Sequence, residues 1–367
     1  MTRQELTAYI ESILPADREA MDAARRRQAE LAKPPGSLGA LEDMSIRLAG
    51  IRRTPRPRID RCRVTVLAAD NGVVAEGVSC APQSVTVQQA VNMTRHKTGM
   101  SALAAYFGDQ VQVVDVGICV PVSCPQVLDR KVRFSTGDIA AEPAMTEQEA
   151  LRALSVGLDL AHMAKEEGID AVGVGEMGIG NTTTSAAVLA ALTGASVEEV
   201  AGRGGGLTDG GFATKKRVLR QALALHHPDP GDPVAILAAV GGLDLAAMTG
   251  LFLGCAHEGL AAAVDGYISI VAALCAVRLC PRVRDYLFLS HASYEISYRL
   301  AARELGLEPC LLLGMRLGEG SGCPLLFRIL QGACAVLDGM ATFPEAAIAD
   351  EYLTPIRQGD AFTVDKS

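Results

Sequence analysis

GVGEMGIGNTTTSAA, residues 173–187, reads as a strand running into a glycine-rich turn from which a helix opens. Glycines stand at 173, 175, 178 and 180, and Asn181, Thr182, Thr183 and Thr184 follow at the helix start. Glycine lets a backbone turn sharply and come close to a ligand. A helix N-terminus adds unpaired N–H donors and the positive end of the dipole, which together favour phosphate. The threonine hydroxyls can cap the helix or bind an anion. The alternative is a tight turn with an N-cap and no ligand.

Outward from this segment, further strand candidates are CRVTVLAAD (62–70), QVQVVDVGI (110–118), RDYLFLSH (284–291) and EPCLLLGM (308–315), beside DAVGVGEM (170–177) itself. Longer Ala/Leu-rich helical stretches separate them. Nearly continuous apolar strands alternating with helices predict an α/β fold with a parallel sheet covered on both faces. In such sheets ligands bind outside the carboxyl ends of the strands. Those ends here are rich in polar residues and glycine: Asp70-Asn71-Gly72, Asp115-Val116-Gly117, Glu176-Met177-Gly178, Ser290-His291 and Gly314-Met315-Arg316.

With 367 residues the chain has room for a large core and about two domains. Polar, helix-patterned residues 1–56 are interrupted by KPPGSLG (33–39), and 324–340 reads as an amphipathic helix before a polar tail. The two ends together are expected to form a small helical domain (1–56 completed by about 335–367) beside a large α/β domain (57–334). Aromatic residues are 4% and tryptophan is absent, a composition suited to helices packed closely on a sheet. The net charge of −8 argues against nucleic acid or an anionic membrane as partner. Asp244 and Asp265 interrupt the two best apolar stretches, and no export signal is evident, so the expectation is a cytoplasmic protein. Ten scattered cysteines show no Cys-x-x-Cys pair and no zinc spacing; buried reduced thiols and no metal are expected.

Two more glycine clusters bear on chemistry. GRGGGLTDGG (202–211) precedes Lys215 and Lys216 on a helix, where an ammonium can complete an anion site. MRLGEGSG (315–322) sets Glu319 between glycines just past a strand. Partial burial there raises a carboxyl pKa toward a value useful for proton abstraction; the competing reading is a glutamate at a helix start. Gly173-x-Gly175-x-x-Gly178 also satisfies a dinucleotide fingerprint, but mid-chain and without an acidic strand end about 20 residues on. His291 either lines the site or is a buried, satisfied histidine.

KPPGSLGALE, AADNGVVAEGVSCAPQSVT, AVNMTRHKTG, VDVGI, GVGEMGIGNTTT, VGGLDLAAMTG, VDGYISIVAAL, SHASYE and MRLGEGSG occur in that order over nearly the whole chain. Together they resemble the nicotinate-nucleotide–dimethylbenzimidazole phosphoribosyltransferase family. The resemblance implies a cytoplasmic homodimer with a Rossmann-like parallel sheet flanked by helices and a small helical domain from both chain ends. It implies transfer of phosphoribosyl from nicotinate mononucleotide to 5,6-dimethylbenzimidazole or a related base, with inversion and no cofactor or metal. The product would be α-ribazole 5′-phosphate, for the lower ligand of a cobamide. By the same resemblance Glu319 is the general base and Glu176 a second acidic residue near the ribose. Gly178, Gly180, Asn181, Thr182, Thr183, Gly204, Lys215 and Ser290 hold the nucleotide and its phosphate. Ser79, Ala81, Gln89, Met315 and Leu317 form the base pocket. Asn71 stands where histidine is usual and Ala81 where a serine can line the pocket, which leaves the acceptor open among benzimidazoles, purines and phenols. The alternatives of another class are a dinucleotide-dependent oxidoreductase and a non-catalytic subunit.

Overall fold

The computed structural model describes residues 1–357. Six strands form one sheet: β1 (Cys62–Ala69), β2 (Gln110–Gly117), β3 (Val127–Asp129), β4 (Ala171–Met177), β5 (Ala261–Val264) and β6 (Leu287–Leu289). Their order is β3-β2-β1-β4-β5-β6, and every pairing is parallel. β1 and β4 are buried at every residue, as expected of central strands with helices on both faces. From β1 the chain proceeds outward through β2 and β3, and from β4 outward through β5 and β6. The direction therefore reverses between β1 and β4, and the crevice at such a switch point is where doubly wound sheets bind ligands.

The helices pack unusually close. In the pair Glu147–Glu166 and Leu243–Glu258, a Cβ placed at Gly157 would strike the Ala247 carbonyl, and one at Gly250 the Leu154 carbonyl. Backbone meets backbone because neither residue has a side chain there. This is the physical content of the small-residue composition.

Two strand expectations are corrected. EPCLLLGM is not a strand; it makes one isolated bridge, His291 to Leu311, and Leu312 and Leu313 are exposed. The strand beside β4 is β5, AAAV, which alanine content disguised as a continuation of the preceding helix. RDYLFLSH contributes only its centre, as β6.

The chain divides into two compact units: Met1–Pro15 with Ile59–Arg328, and Ala16–Arg58 with the chain from Ile329 onward. The first helix, Arg3–Ser12, thus belongs with the larger unit and not with the rest of 1–56, contrary to the expectation of one piece. Arg282 Nη2 and Tyr286 Oη donate to the carbonyls of Ile10 and Leu14, which fixes those residues there. The smaller unit has the helices Arg18–Glu30 and Ala40–Arg52, with Ala24, Ile46, Ala49 and Leu337 as its core. Residues 358–367 of the expected helical domain lie outside the described residues. No helix among the described residues is long and apolar enough to cross a membrane.

Two glycine-to-alanine substitutions should therefore act in opposite directions. Gly250→Ala forces two helix backbones apart and should cost about 1–3 kcal/mol, the usual range for overpacking. Gly332 lies inside the helix Cys323–Gly339 with open space at its Cβ position. Gly332→Ala should add about 0.5–1 kcal/mol through helix propensity and backbone entropy. Urea midpoints compared with wild type read both signs.

Candidate active site

A cavity of 280 Å³ opens at the carboxyl ends of the central strands, in the larger unit. Ser79, Ala81, Gln89, Glu176, Gly178, Gly180, Asn181, Thr182, Gly204, Leu317 and Glu319 all line it. Four expected site residues stand behind this lining or beside it. Thr183 is fully buried, and Lys215 sits beneath Thr182. Ser290 is buried with its Oγ donating to the Asp265 carbonyl. Met315 lies next to the lining residue Arg316. His291 is buried, its Nδ1 3.1 Å from Ser290 Oγ, and burial lowers its pKa to about 4, so it is neutral.

At one end a helix start and a buried lysine come together. The helix Asn181–Thr193 starts after Gly180 at φ 96° without a side-chain cap, and its first turn faces the cavity. Lys215, from the helix Asp209–His226, is wholly buried and donates from Nζ to Thr182 Oγ1 at 2.9 Å. Desolvation pushes its pKa down to about 8, opposed by the charge of Glu295. Gly204, at φ 53°, comes so near that a Cβ would lie 2.8 Å from Thr182 Oγ1. A phosphate ester there meets helix N–H groups, a hydroxyl and a cation short of solvent.

The other end carries Glu319. Gly318, Glu319 and Gly320 have φ of 79°, 64° and 83° in succession, so a glutamate is held in the left-handed region between two glycines. Such an outlier points toward function rather than packing. Gln89 Nε2 lies 3.4 Å from Glu319 Oε1, while Oε2 is buried without a hydrogen-bond partner. Desolvation raises the Glu319 pKa; the Thr98 hydroxyl and Met100 N–H at a helix start pull the other way. A desolvated carboxyl group with a raised pKa at the wall of a cavity has the character a general base requires.

Glu176 lies between these ends. Its Oε1 accepts the Glu319 N–H at 3.3 Å, and its Oε2 accepts from Asn181 Nδ2. Asn181 Nδ2 is also 3.3 Å from Asp244 Oδ2. Burial, and then the neighbouring Asp244, raise the Glu176 pKa to about 8.

The glycines of the opening motif divide by role. Gly173 and Gly175 are inside β4, not in the turn: a Cβ at 175 would lie 2.7 Å from the Glu319 carbonyl, and one at 173 would meet Cys323. They admit the Glu319 turn onto the strand, and the dinucleotide reading loses its geometry. Asn71 lies under the phosphate turn, its amide against the Ile179 carbonyl at 3.4 Å and Thr184 Oγ1 at 3.3 Å. It lines no part of the cavity. Sequence reasoning missed Arg203, Tyr267, Ser293, Glu295 and Arg316 in the lining and Asp244 and Asp265 behind it. The signal for the two aspartates was present: a lone charge in each of two apolar stretches.

A doubly wound sheet with an uncapped helix start and two buried glutamates at one cavity has the layout of an α/β enzyme whose site lies at the strand ends. Comparison with known proteins narrows the class. Residues 13–348 match a family described as phosphoribosyltransferase. A nicotinate-nucleotide–dimethylbenzimidazole phosphoribosyltransferase of Clostridium perfringens is 45% identical over 359 residues, covering 98% of this chain and 99% of that protein. One of Chloroflexus aggregans is 45% identical over 347 residues, 94% and 98% of the two chains. The crystal structure of CobT from Thermus thermophilus superposes with a TM-score of 0.87 at 42% identity, covering 90% of this chain and 99% of that one. The chain belongs to the nicotinate-nucleotide–dimethylbenzimidazole phosphoribosyltransferase family.

Lys215→Met keeps the volume and removes a cation that burial disfavours. Stability should hold or rise, while affinity for a ribonucleoside 5′-monophosphate should fall about 10–100-fold, the range of a charge-assisted hydrogen bond. Calorimetric titration of both proteins measures it; unchanged affinity would place the phosphate elsewhere.

Proposed function

We propose that the protein transfers the 5-phosphoribosyl group of nicotinate mononucleotide to 5,6-dimethylbenzimidazole or a related base, giving α-ribazole 5′-phosphate and nicotinate for the lower ligand of a cobamide. The observation that carries this reading is that the desolvated Glu319, with Gln89 at its Oε1, lines the same cavity as Thr182, whose hydroxyl is bound by the buried Lys215. The phosphate rests on Gly178, Gly180, Asn181, Thr182 and Gly204, with Lys215 behind and Thr183 and Ser290 supporting. The base lies against Ser79, Ala81, Gln89 and Leu317, with Met315 alongside.

The chemistry balances without a cofactor. The imine nitrogen of the azole attacks C1′ of the ribose, forming the new N–C bond as the bond to nicotinate breaks. The electron pair of the broken bond neutralises the pyridinium nitrogen, and Glu319 takes the azole N–H proton. Attack on the face opposite the leaving group inverts the anomeric carbon. Glu176, near the ribose, faces the charge that develops there.

Homodimerisation fits the surface: Tyr294, Ile296, Leu312 and Leu313 are exposed apolar side chains in a large α/β unit. Seven of the ten cysteines are buried, in keeping with reduced thiols in a cytoplasm.

Glu319→Gln tests the assignment. It keeps size and much of the hydrogen bonding, so turnover should fall about 10²–10⁴-fold, the usual worth of a general base, with donor affinity retained. The base must be ionised, and burial raises its pKa, so the wild-type rate should rise with pH along an acid limb above the ordinary glutamate value of 4.5. That limb should vanish in the variant. Mass spectrometry of products from a panel of azoles, purines and phenols identifies the acceptor. N-glycosides from azoles support the reading above; O-glycosides from phenols alone would replace it.

A further inference from the structure

We propose that Asp265 is a positioning residue for Glu319: each of its carboxylate oxygens accepts a backbone N–H from the turn that carries Glu319, and so sets where that side chain stands in the cleft. The proposal rests on the reading of Glu319 as general base.

Asp265 directly follows β5 and is 2% exposed. Its Oδ2 accepts from Gly320 N at 3.0 Å and its Oδ1 from Gly322 N at 2.6 Å. Asp265 is itself tied to three strands. It continues β5, its N–H donates to Ser269 Oγ at 3.2 Å, and that hydroxyl donates to the Val174 carbonyl of β4 at 2.8 Å. Its carbonyl accepts from Ser290 Oγ, at the end of β6, at 3.1 Å. The carboxylate is therefore a fixed point of the sheet, and the turn hangs from it.

The turn needs such a point. A non-glycine residue in the left-handed region costs about 1–2 kcal/mol, so Glu319 would leave that conformation if the flanking N–H groups were released. Asp265 does not line the cavity, although Gly266 and Tyr267 do, so it acts through the turn and not on substrate. The nearest basic side chain is His291, with Nδ1 3.8 Å from Oδ1, and its burial keeps it neutral. The carboxylate is thus held chiefly by N–H groups. A competing role is structural, since the helix Cys323–Gly339 begins immediately after Gly322.

A double-mutant cycle separates the two. In Asp265→Asn one oxygen becomes an amide that cannot accept, so one tether is lost with little change of shape. Gly322→Ala breaks the tether from the other side, because its Cβ would strike His291 Nδ1 and Ser290 Oγ. kcat and donor KM are measured for both variants, with nicotinate mononucleotide and dimethylbenzimidazole, in the wild-type and Glu319→Gln backgrounds. A displacement of about 1 Å in a reacting group can cost about 10²-fold, so each variant should lower kcat on that order with donor KM little changed. In the Glu319→Gln background each should cost little more, since residues acting as one unit are non-additive. Equal losses in both backgrounds would make Asp265 a general support of the fold and overturn the proposal. So would near-wild-type turnover of both variants, or failure of both to fold. Near-wild-type turnover of Glu319→Gln alone would instead remove the general-base reading, a separate failure visible in the single variant.

Discussion

Four carboxyl groups, of Glu176, Asp244, Asp265 and Glu319, are buried around one cleft, and the fold is arranged to satisfy them. Burying a carboxylate without hydrogen bonds is costly enough that the group neutralises instead. Backbone N–H groups and the Asn181 amide answer three of them, Gly320 and Gly322 for Asp265, Glu319 and Asn181 for Glu176, Leu245 and Asn181 for Asp244, and the Gln89 amide meets one oxygen of Glu319. That requirement dictates much else. The donors must come from turns close to the strand ends, so β4 carries glycine at 175 to let the Glu319 turn approach. Asn181 must sit at the helix start to reach both Glu176 and Asp244. The turn before Asn181 and the turn that carries Glu319 are consequently parts of one hydrogen-bonded assembly.

How much of this could be read from sequence follows from what each residue pattern reports. β1, β2 and β4 are legible because their runs are rich in valine and other apolar residues and end in glycine or an acid, although Arg63 and Thr65 interrupt β1. β5 is AAAV, and alanine carries no strand preference, so it merged with the helix Leu243–Glu258 before it. Losing that strand meant losing its end, and with it Asp265, Gly266 and Tyr267. EPCLLLGM failed the other way: its leucines look like core, yet Leu312 and Leu313 face outward. Apolar composition alone does not say which surface a residue faces. Glu319 was legible as a turn residue because glycines flank it on both sides; its burial was not. Its tether was not, because both partners of Asp265 are backbone atoms and leave no trace in side-chain identity.

The same limit applies to the glycines. At 178 and 180 they border the cavity as the motif implied, whereas at 173 and 175 they serve packing against Cys323 and Glu319. Sequence spacing cannot distinguish a glycine that admits a ligand from one that admits another part of the chain. Both need the absence of a Cβ, and only the fold supplies the neighbour.

Burial also sets the charge state of the cleft before a donor arrives. Glu176 with a pKa of about 8 is largely neutral at pH 7, while Lys215, lowered to about 8, is largely charged but poorly solvated. A phosphorylated nucleotide bearing a cationic ring changes both balances. On the proposed placement, a phosphate dianion beside Lys215 favours the ammonium and raises its pKa, and a pyridinium near Glu176 favours the ionised carboxylate and lowers its pKa. Such a donor thus adds a countercharge to that of Glu295 at Lys215, and supplies one at Glu176. A neutral nucleoside supplies neither, and a nucleotide with an uncharged base supplies only the first. On the proposed placement, preference for a pyridinium-ribosyl phosphate follows from two desolvated groups of opposite ionised sign, Lys215 behind one end of the cavity and Glu176 nearer its middle. The same ring cation disappears as the glycosidic bond breaks, so the hold on the leaving group weakens at the step where it must depart.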